Sequence, residues 1–358
     1  MTKKVINTYI FNPEHDIALA QDNEFFTPPH AARALAADLS YLPAIWAGEN
    51  DVVVVDNPDA AKVAMRHRRR YCSDVKLLTW TDLRSLKGDA LRIVPWGWDK
   101  ALYRRFLRVV DDIPLITPGD PDAIRAVSSR EWAASNLLPY LVESSDLCVG
   151  KAQYVTTIQE VCSVCDSPGL SVLKAPWSSS GRGVRYVMGD KPFAESRNFK
   201  WVQNVIKSQT GIMIEPYYNK ICDFGMEFEI VDNKCVYMGL SLFQTRNGAY
   251  TGNLICPEDE KMGKLSRYIP VELLATTAKH ISQIMENKLC DIYQGPFGVD
   301  MMIVNVGGKA MLHPCVELNL RMTMGHVALN IQHHCPGERL NMFVGLENDK
   351  YRMRVRKR

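Results

Sequence analysis

Short apolar runs alternate with stretches rich in Ala, Leu and Arg in the first third of the chain. Runs of this kind predict strands that are buried on both faces of a parallel sheet. They lie at residues 5–11, 52–55, 91–95 and 113–116, with helix-like stretches at 31–39 and 60–70. The alternation of strands and helices predicts an open α/β layer built on a mostly parallel sheet.

The pattern changes after the segment Thr-Pro-Gly-Asp-Pro at 117–121, which is a natural domain boundary. Ser128 or Ser129 can cap the helix that follows, with Glu131 in its first turn. Further strands are predicted at 172–174, 184–187, 212–214, 226–231, 235–243, 299–304 and 310–319, and helices at 200–208 and 271–287. The second part of the chain is therefore expected to be α+β with antiparallel strands.

The composition is typical of a soluble globular chain of about two domains, with 358 residues, 46% hydrophobic and 23% charged. Six Lys or Arg residues fall within 350–358, although the net charge of the whole chain is only +3. The body is therefore slightly acidic, and nucleic acid is not expected as a partner. The basic tail is interpreted as an edge strand or a frayed end, with contact to RNA or an anionic surface as the alternative.

Ten cysteines are spread along the chain without the density of a disulfide scaffold. Cys162 and Cys165 form a CxxC with no second pair, so we interpret them as two thiols on a helix. No apolar segment is long enough to span a membrane, and polar and charged residues interrupt the apolar N-terminus, which argues against a signal peptide. We therefore expect a cytoplasmic protein without a membrane partner.

A loop of small residues between two predicted strands is the first candidate for chemistry. Backbone N–H groups of small residues can approach a polyanion closely, and Lys174 at the end of the entering strand adds a charge for the same phosphates. The alternative is a β-hairpin with a flexible polar tip. The candidate residues of the loop are Ser178, Ser179, Ser180, Gly181, Arg182 and Gly183.

Alternating polar and apolar residues at 317–321 form the second candidate. Glu317, Asn319 and Arg321 project from one side of a predicted strand because successive side chains point to opposite faces. Carboxylate and amide oxygens suit Mg²⁺, and an arginine beside them can reach a transferring phosphoryl group. The alternative is an exposed face of an antiparallel sheet.

A second carboxylate is available on the preceding strand. If residues 306–309 form the turn, Asp300 lies opposite Cys315, two residues away from Glu317. We expect a bulge near Pro314 to close that gap.

An apolar strand that ends in Glu215-Pro216-Tyr217 is the third candidate. Its extended, proline-fixed end can offer backbone hydrogen bonds to an adenine edge. Asp223 or Glu227, a few residues later, can accept hydrogen bonds from ribose hydroxyls. Apolar strands before proline are common, so this feature indicates little by itself.

In this order the three features resemble the ATP-grasp superfamily over more than half of the chain. The resemblance implies that Lys174 and the loop at 178–183 hold nucleotide phosphates. It also implies that the segment at 215–217 is a hinge whose backbone binds adenine. Asp223 or Glu227 falls where the family's ribose-binding acid is expected.

The resemblance further implies cofactors and a reaction. Asp300, Glu317 and Asn319 match the pattern that holds two Mg²⁺ ions, with Mn²⁺ as an alternative, and Arg321 matches the basic residue that often follows. Arg130 occupies the position at which the family has another phosphate-contacting lysine, earlier in the chain than Lys174. This replacement departs from the family pattern but keeps the positive charge. The implied reaction transfers the γ-phosphoryl group of ATP to a carboxylate, and an amine then displaces phosphate from the acyl phosphate.

Four segments are expected from the same resemblance. A pre-ATP-grasp α/β domain would cover 1–118, a small ATP-grasp subdomain with the glycine-rich loop 119–213, and a large subdomain with the metal site 214–349. The basic tail would cover 350–358.

Fewer features of the sequence indicate which residues bind the substrates. Arg246, in a polar stretch at 244–253, can pair with a substrate carboxylate, although a hairpin turn on Asn247-Gly248 is the favoured alternative. Glu14 or His15 follows the first strand, where open α/β sheets bind ligands, and a capped helix start accounts for them equally well. The expected partners are small-molecule or peptide carboxylates and amines, and a homodimer is one option for the assembly.

Two other functions stay open. One is a kinase that phosphorylates a different acceptor at the same nucleotide site. The other is a nucleotide-binding regulatory module without turnover, against which the complete set of Lys174, Asp300, Glu317 and Asn319 argues.

Overall fold

Three β-sheets follow one another along the chain in the computed structural model, which describes residues 4–110, 112–178, 182–246 and 249–358. The strands of the first sheet are β1 (Val5–Ile10), β2 (Val52–Val54), β3 (Lys76–Leu78), β4 (Ala90–Pro95) and β5 (Leu115–Ile116). They are all parallel and lie in the order β3-β2-β1-β4-β5. All three valines of β2 are buried, as expected for a strand that is covered on both faces.

Helices connect these strands. They are α1 (His15–Gln21), α2 (His30–Asp38), α3 (Pro58–Arg66) and α4 (Lys100–Val109). Asn57 and Asp99 begin α3 and α4, since their side chains accept hydrogen bonds from backbone N–H groups of the first turn. The predicted α/β layer is confirmed, although β3 and α4 lie outside the predicted elements.

A four-stranded antiparallel sheet comes next, after the short helices α5 (Pro121–Val127), α6 (Arg130–Asn136) and α7 (Leu138–Glu143). Its strands are β6 (Gln153–Val155), β7 (Leu170–Lys174), β8 (Val184–Met188) and β9 (Ile212–Pro216), in the order β6-β9-β7-β8. Two helices, α8 (Ile158–Cys165) and α9 (Phe199–Gln209), cover one face of this sheet around Val161, Leu173 and Val202. Cys162 and Cys165 both lie on α8, as predicted.

The third sheet is antiparallel and has seven strands in the part of the chain that the structure describes. In chain order they are β10 (Asn219–Val231), β11 (Lys234–Arg246), β12 (Ala249–Ile255), β13 (Gly295–Val306), β14 (Lys309–Asn319), β15 (Leu340–Glu347) and β16 (Lys350–Lys357). The spatial order is β14-β13-β10-β11-β12-β15-β16. The accompanying helices are α10 (Glu258–Leu265), α11 (Val271–Leu289) and α12 (Met324–His334).

The basic segment at the end of the sequence is not a frayed end. It forms the edge strand β16, whose Met353 is buried against the first part of the chain. Arg68, just after α3, donates a hydrogen bond of 2.5 Å to the carbonyl oxygen of Met353 and so covers part of this edge.

The expected division at residues 118, 213 and 349 remains a prediction. Residue 213 lies within β9, and residues 350–357 are part of the large sheet. Among the described residues, every helix is too short or too polar to cross a membrane.

Candidate active site

A β-bulge brings two carboxylates together on neighbouring strands. From the turn at 306–309 up to Met302 and His313, β13 and β14 pair in the register that the sequence predicts. The register then shifts, and Asp300 pairs directly with Glu317. The shift falls at Pro314, which has no N–H group for the strand pairing. The expected bulge is therefore present.

Asn319 completes a set of oxygen-bearing side chains at this point. Its Nδ2 donates a hydrogen bond of 3.0 Å to Oδ2 of Asp300. Burial, and then the charges of Glu317 and Glu227, raise the pKa of Asp300 to about 8. A divalent cation would relieve this repulsion, and the oxygen donors are of the kind that Mg²⁺ prefers.

The set has two carboxylates and an amide. In the described part of the chain, no group of three or more His, Cys, Asp or Glu side chains is arranged as a metal centre. Mg²⁺ sites with one or two carboxylates complete their coordination with waters and substrate phosphates. The residues therefore fit a metal that is held jointly with a nucleotide.

Arg321 is bound by a residue from the start of the chain. Its Nε and Nη2 each donate a hydrogen bond of 2.9 Å to the carboxylate of Asp16, in the first turn of α1. Nη2 also donates to Oδ1 of Asn319 at 2.8 Å. Although burial opposes it, the Arg321 guanidinium holds the pKa of Asp16 below its usual value. The sequence gives no local signal for a contact that spans 305 residues, and Asp16 was not among the predicted site residues.

Lys174 and Glu215 form a buried ion pair in the four-stranded sheet. Nζ of Lys174 lies 2.6 Å from Oε2 of Glu215, and both side chains are less than a tenth exposed. Nζ also donates a hydrogen bond of 3.4 Å to the carbonyl oxygen of Val316, next to Glu317. The predicted phosphate-binding lysine therefore lies beside β14, the strand that carries two of the predicted metal ligands.

Arg130 links the base of the glycine-rich loop to Glu317. Nη1 donates to the carbonyl oxygen of Ala175 at 2.6 Å and to Oγ of Ser178 at 2.7 Å. Nη2 donates to Oε1 of Glu317 at 2.5 Å. Nε is buried and has no hydrogen-bond partner among the described residues.

The rest of the predicted loop is described only in part. Gly183 allows the side chain of Ser178 to lie close to its backbone, because a Cβ atom on residue 183 would lie 2.3 Å from Oγ of Ser178. Arg182 is exposed. Ser179, Ser180 and Gly181, which the sequence also assigns to the phosphates, lie outside the described residues.

A cavity adjoins these groups where the first sheet meets the two others. The residues that line it include His15, Asp16, Arg130, Trp177, Glu317 and Asn319. His15 lies 3.3 Å from Asp99 through Nδ1, whereas Glu14 is not a lining residue.

The predicted hinge at 215–217 lies at the end of β9. Glu215 is buried, Tyr217 is about half exposed, and the Tyr217 ring meets that of Tyr186 edge to face at 6.1 Å. Asp223 is partly exposed in β10 and accepts hydrogen bonds from Lys220 and Thr245.

Solved structures of other proteins have a similar overall fold. An N5-carboxyaminoimidazole synthetase from Staphylococcus aureus, complexed with ADP, matches with a TM-score of 0.52 at 13% identity, over 97% of this chain and 84% of that chain. A protein described as an ATP-grasp superfamily protein, from Archaeoglobus fulgidus, matches with a TM-score of 0.50 at 11% identity, over 99% of each chain. The chain has the ATP-grasp fold. No family model and no curated protein matches the sequence.

Glu227, the second of the two residues that the sequence offers for the ribose, lies against the start of α12. Its side chain is buried, and its Oε2 accepts a hydrogen bond of 2.9 Å from Thr323 and lies 3.1 Å from Nδ1 of His326. Burial raises the pKa of Glu227 to about 7. Oε1 of Glu227 and Oδ1 of Asp300 lie 3.4 and 3.5 Å from the position that a Cβ atom on Gly225 would occupy. Of the two residues offered for the ribose, Asp223 is the more exposed, and the choice between them stays a prediction.

His313 of β14 lies near Lys174 and is not among the residues that the sequence predicts for the site. It is buried, and neither ring nitrogen has a hydrogen-bond partner among the described residues. Burial, followed by the charge of Lys174, lowers its pKa to about 3. Its ring meets that of Tyr218, just after the hinge, at 5.3 Å.

Arg246 lies at the end of β11, where its backbone pairs with that of Ala249 in β12. The favoured alternative, a hairpin turn on Asn247-Gly248, falls on residues outside the described part of the chain and also stays a prediction. Asn247, Gly248 and the side chain of Arg246 lie outside the described part of this ATP-grasp fold, so its substrate role stays a prediction.

Proposed function

We propose that the protein is an ADP-forming ligase that uses ATP to join a carboxylate to an amine. The observation that carries the proposal is the convergence of three cationic side chains on one set of oxygens. Arg130 and Arg321 bond directly to Glu317 and Asn319, and Lys174 donates to the backbone beside them. Such a site suits phosphoryl transfer, in which catalysis is mostly positioning and electrostatic stabilisation.

The triphosphate would lie between Lys174, Arg130 and the glycine-rich loop. Arg130 supports this placement because its Nε is buried without a protein partner among the described residues. Its Nη2 would exchange Glu317 for a phosphate oxygen. A protein of the same fold was solved in complex with ADP, which supports a nucleotide as the ligand.

The base and the ribose would follow the hinge. Backbone groups at 215–217 would bind the adenine edge, and Asp223 would accept hydrogen bonds from the ribose. His313 and Tyr218 lie near the hinge, and a ring nitrogen of His313 could bond to the base.

Asp300, Glu317 and Asn319 would hold Mg²⁺, or Mn²⁺ in its place. When bound, the metal supplies positive charge to the phosphates. The protein itself keeps Asn319 and Arg321 oriented through the hydrogen bonds already described.

The reaction balances without a covalent enzyme intermediate. An oxygen of the substrate carboxylate attacks the γ-phosphorus of ATP, and the bond to the β,γ-bridging oxygen breaks, which gives an acyl phosphate and ADP. The amine nitrogen then attacks the acyl carbon, and phosphate leaves as the amine loses a proton. Arg321 would stabilise the charge of the transferring group, and Arg246 would pair with the substrate carboxylate.

Hydroxylamine allows the carboxylate to be found before the amine is known. Pooled carboxylates are incubated with ATP, Mg²⁺ and hydroxylamine, and ADP and hydroxamate are measured together. Formation of both supports the ligase. A phosphorylated acceptor that is stable to hydroxylamine would indicate the kinase, and ADP binding without turnover across the pools would indicate the regulatory module.

The intermediate can then be tested with isotope. If the identified carboxylate is labelled with ¹⁸O, one labelled oxygen is expected in the released phosphate when the true amine is supplied. Unlabelled phosphate together with an amide product would contradict the acyl phosphate.

A further inference from the structure

We propose that Asp16 is a positioning residue that holds Arg321 and, through Arg321, orients the amide of Asn319 as a metal ligand. The inference rests on the proposed nucleotide and metal site. It concerns a residue of the N-terminal sheet region, which lies far from the metal strands in sequence.

The contacts form one continuous chain. The Asp16 carboxylate accepts two hydrogen bonds of 2.9 Å from Arg321, with both side chains less than a fifth exposed. Arg321 donates to Oδ1 of Asn319 at 2.8 Å, and Nδ2 of Asn319 donates to Asp300 at 3.0 Å. A two-point contact fixes the plane of a guanidinium as well as its position.

The two neighbours of Asn319 allow only one orientation of its amide. A reversed amide would direct its NH₂ group at the Arg321 guanidinium, which has only donors, and its oxygen at the carboxylate of Asp300. In the observed orientation, Oδ1 accepts from Arg321 and keeps a second lone pair for a cation. Without a fixed Arg321, one of the two constraints on the amide is lost.

Asp16 is itself held rigidly. α1 begins directly after a loop in which Asn12 exchanges two hydrogen bonds with the backbone of Gly97, at 2.8 and 3.2 Å. Arg125 donates a hydrogen bond of 2.8 Å to the carbonyl oxygen of Leu19 in the same helix. These contacts anchor the helix that carries Asp16, while Nη1 of Arg321 donates a further hydrogen bond of 3.0 Å to the carbonyl oxygen of Met322.

The test measures how ADP binding depends on Mg²⁺, by calorimetry on the full chain. Loss of a residue that orients a metal ligand typically weakens metal affinity by about 10- to 100-fold. We expect the Asp16→Asn variant to need an Mg²⁺ concentration at least about 10-fold higher for the half-maximal increase in its affinity for ADP. ADP affinity in EDTA and at saturating Mg²⁺ is expected to equal that of the wild type, which an unfolded variant would not show.

Asp22→Asn is the matched control. Asp22 ends α1 and pairs with Lys100 at 2.6 Å and with Arg125 at 3.5 Å. The asparagine keeps an oxygen acceptor for both cations, so the variant changes the charge near α1 without touching Arg321. If Asp22→Asn raised the required Mg²⁺ concentration as much as Asp16→Asn does, the effect would come from the change in net charge, and the proposal would be overturned. If Asp16→Asn does not fold, Asp16→Glu keeps the charge, moves the carboxylate and is expected to show a several-fold shift.

Failure of the proposed nucleotide site and failure of the proposed role of Asp16 give different results. A wild-type protein that binds no ADP would overturn the nucleotide site and this inference together. A wild-type protein that binds ADP with Mg²⁺, and position-16 variants with the same Mg²⁺ dependence, would overturn only the role of Asp16.

Discussion

Asp300 pairs directly with Glu317 because residues 314–316 of β14 all lie opposite Met301 of β13. Like charges that face each other across a strand pair are unfavourable, and burial adds to the cost. Arg130 offsets the charge of Glu317 from one side, and Asn319 donates to Asp300 from the other. The bulge thus maintains a repulsive arrangement that a metal-bound nucleotide would relieve.

Replacing Glu317 should separate stability from activity. Glu317→Gln removes a proposed metal ligand, and it removes both the charge that repels Asp300 and the charge that pairs with Arg130. We expect ADP formation with Mg²⁺ to fall at least about 100-fold. The free energy of unfolding in EDTA should stay within about 1 kcal/mol of the wild type or rise. Coupled ADP detection and urea unfolding measure the two effects.

Glu286→Gln is the control for this variant, because Glu286 is a partly exposed carboxylate of α11 that pairs with Lys234 at the start of β11. It should leave ADP formation unchanged. Near-normal ADP formation in Glu317→Gln would remove Glu317 from the metal set.

Lys174 should contribute to stability through Glu215 even without nucleotide. Lys174→Met leaves a buried carboxylate without its cation, and breaking a buried pair in this way costs about 3 kcal/mol. The double variant Lys174→Met/Glu215→Gln should recover most of this loss because no buried charge remains. Urea unfolding of both single variants and of the double variant measures the coupling.

The exposed pair Lys234–Glu286 is the comparison, and its cycle should give a coupling of only about 0.5 kcal/mol. Equal coupling in the two pairs would contradict the contribution assigned to burial of Lys174 and Glu215.

The parallel sheet and the strands β13 and β14 could be predicted from the sequence because their signals are local. Buried β-branched runs identify β1 and β2, and alternation at 317–321 places Glu317 and Asn319 on one face. The proline in β14 even indicates where the register shifts. By contrast, β3 has only three residues and one exposed lysine, so its pattern does not stand out from a loop.

Contacts between distant segments could not be predicted. Asp16 meets Arg321 only because α1 packs beside the end of β14, which depends on the arrangement of all three sheets. The burial of Glu227 likewise depends on α12, whose Thr323 and His326 approach β10 from another part of the chain. Local patterns contain no information about either contact.

Gly325 should tolerate no side chain. A Cβ atom there would lie 1.8 Å from Oε1 of Glu227 and 2.6 Å from Oγ of Ser241, and both atoms are buried. Gly325→Ala should therefore lower the free energy of unfolding by about 2–3 kcal/mol, as overpacking does. Gly263→Ala, in α10 with nothing within 4 Å of its Cβ position, should raise it by about 0.5–1 kcal/mol. Two alanine variants of equal stability would contradict the packing around Glu227.

His313 should make the protein sensitive to acid. The folded protein keeps the imidazole neutral down to its lowered pKa of about 3, whereas the unfolded chain binds a proton below its ordinary pKa of 6.5. Because the unfolded state binds more protons between these values, wild-type stability falls as the pH falls through this range. His313→Phe removes this contribution. From pH 6.5 to 4.5, the stability of the wild type relative to the variant should fall by up to about 2.7 kcal/mol, at 1.36 kcal/mol per pKa unit.

Urea unfolding at several pH values measures this difference, and His333→Asn is the control. His333 is exposed on α12, so its removal should leave the pH dependence of the wild type unchanged. A His313→Phe variant that loses stability in acid in parallel with the wild type would show that His313 finds a partner for its proton in the folded protein. In that case the ring would not be available to bond to a base as a neutral group.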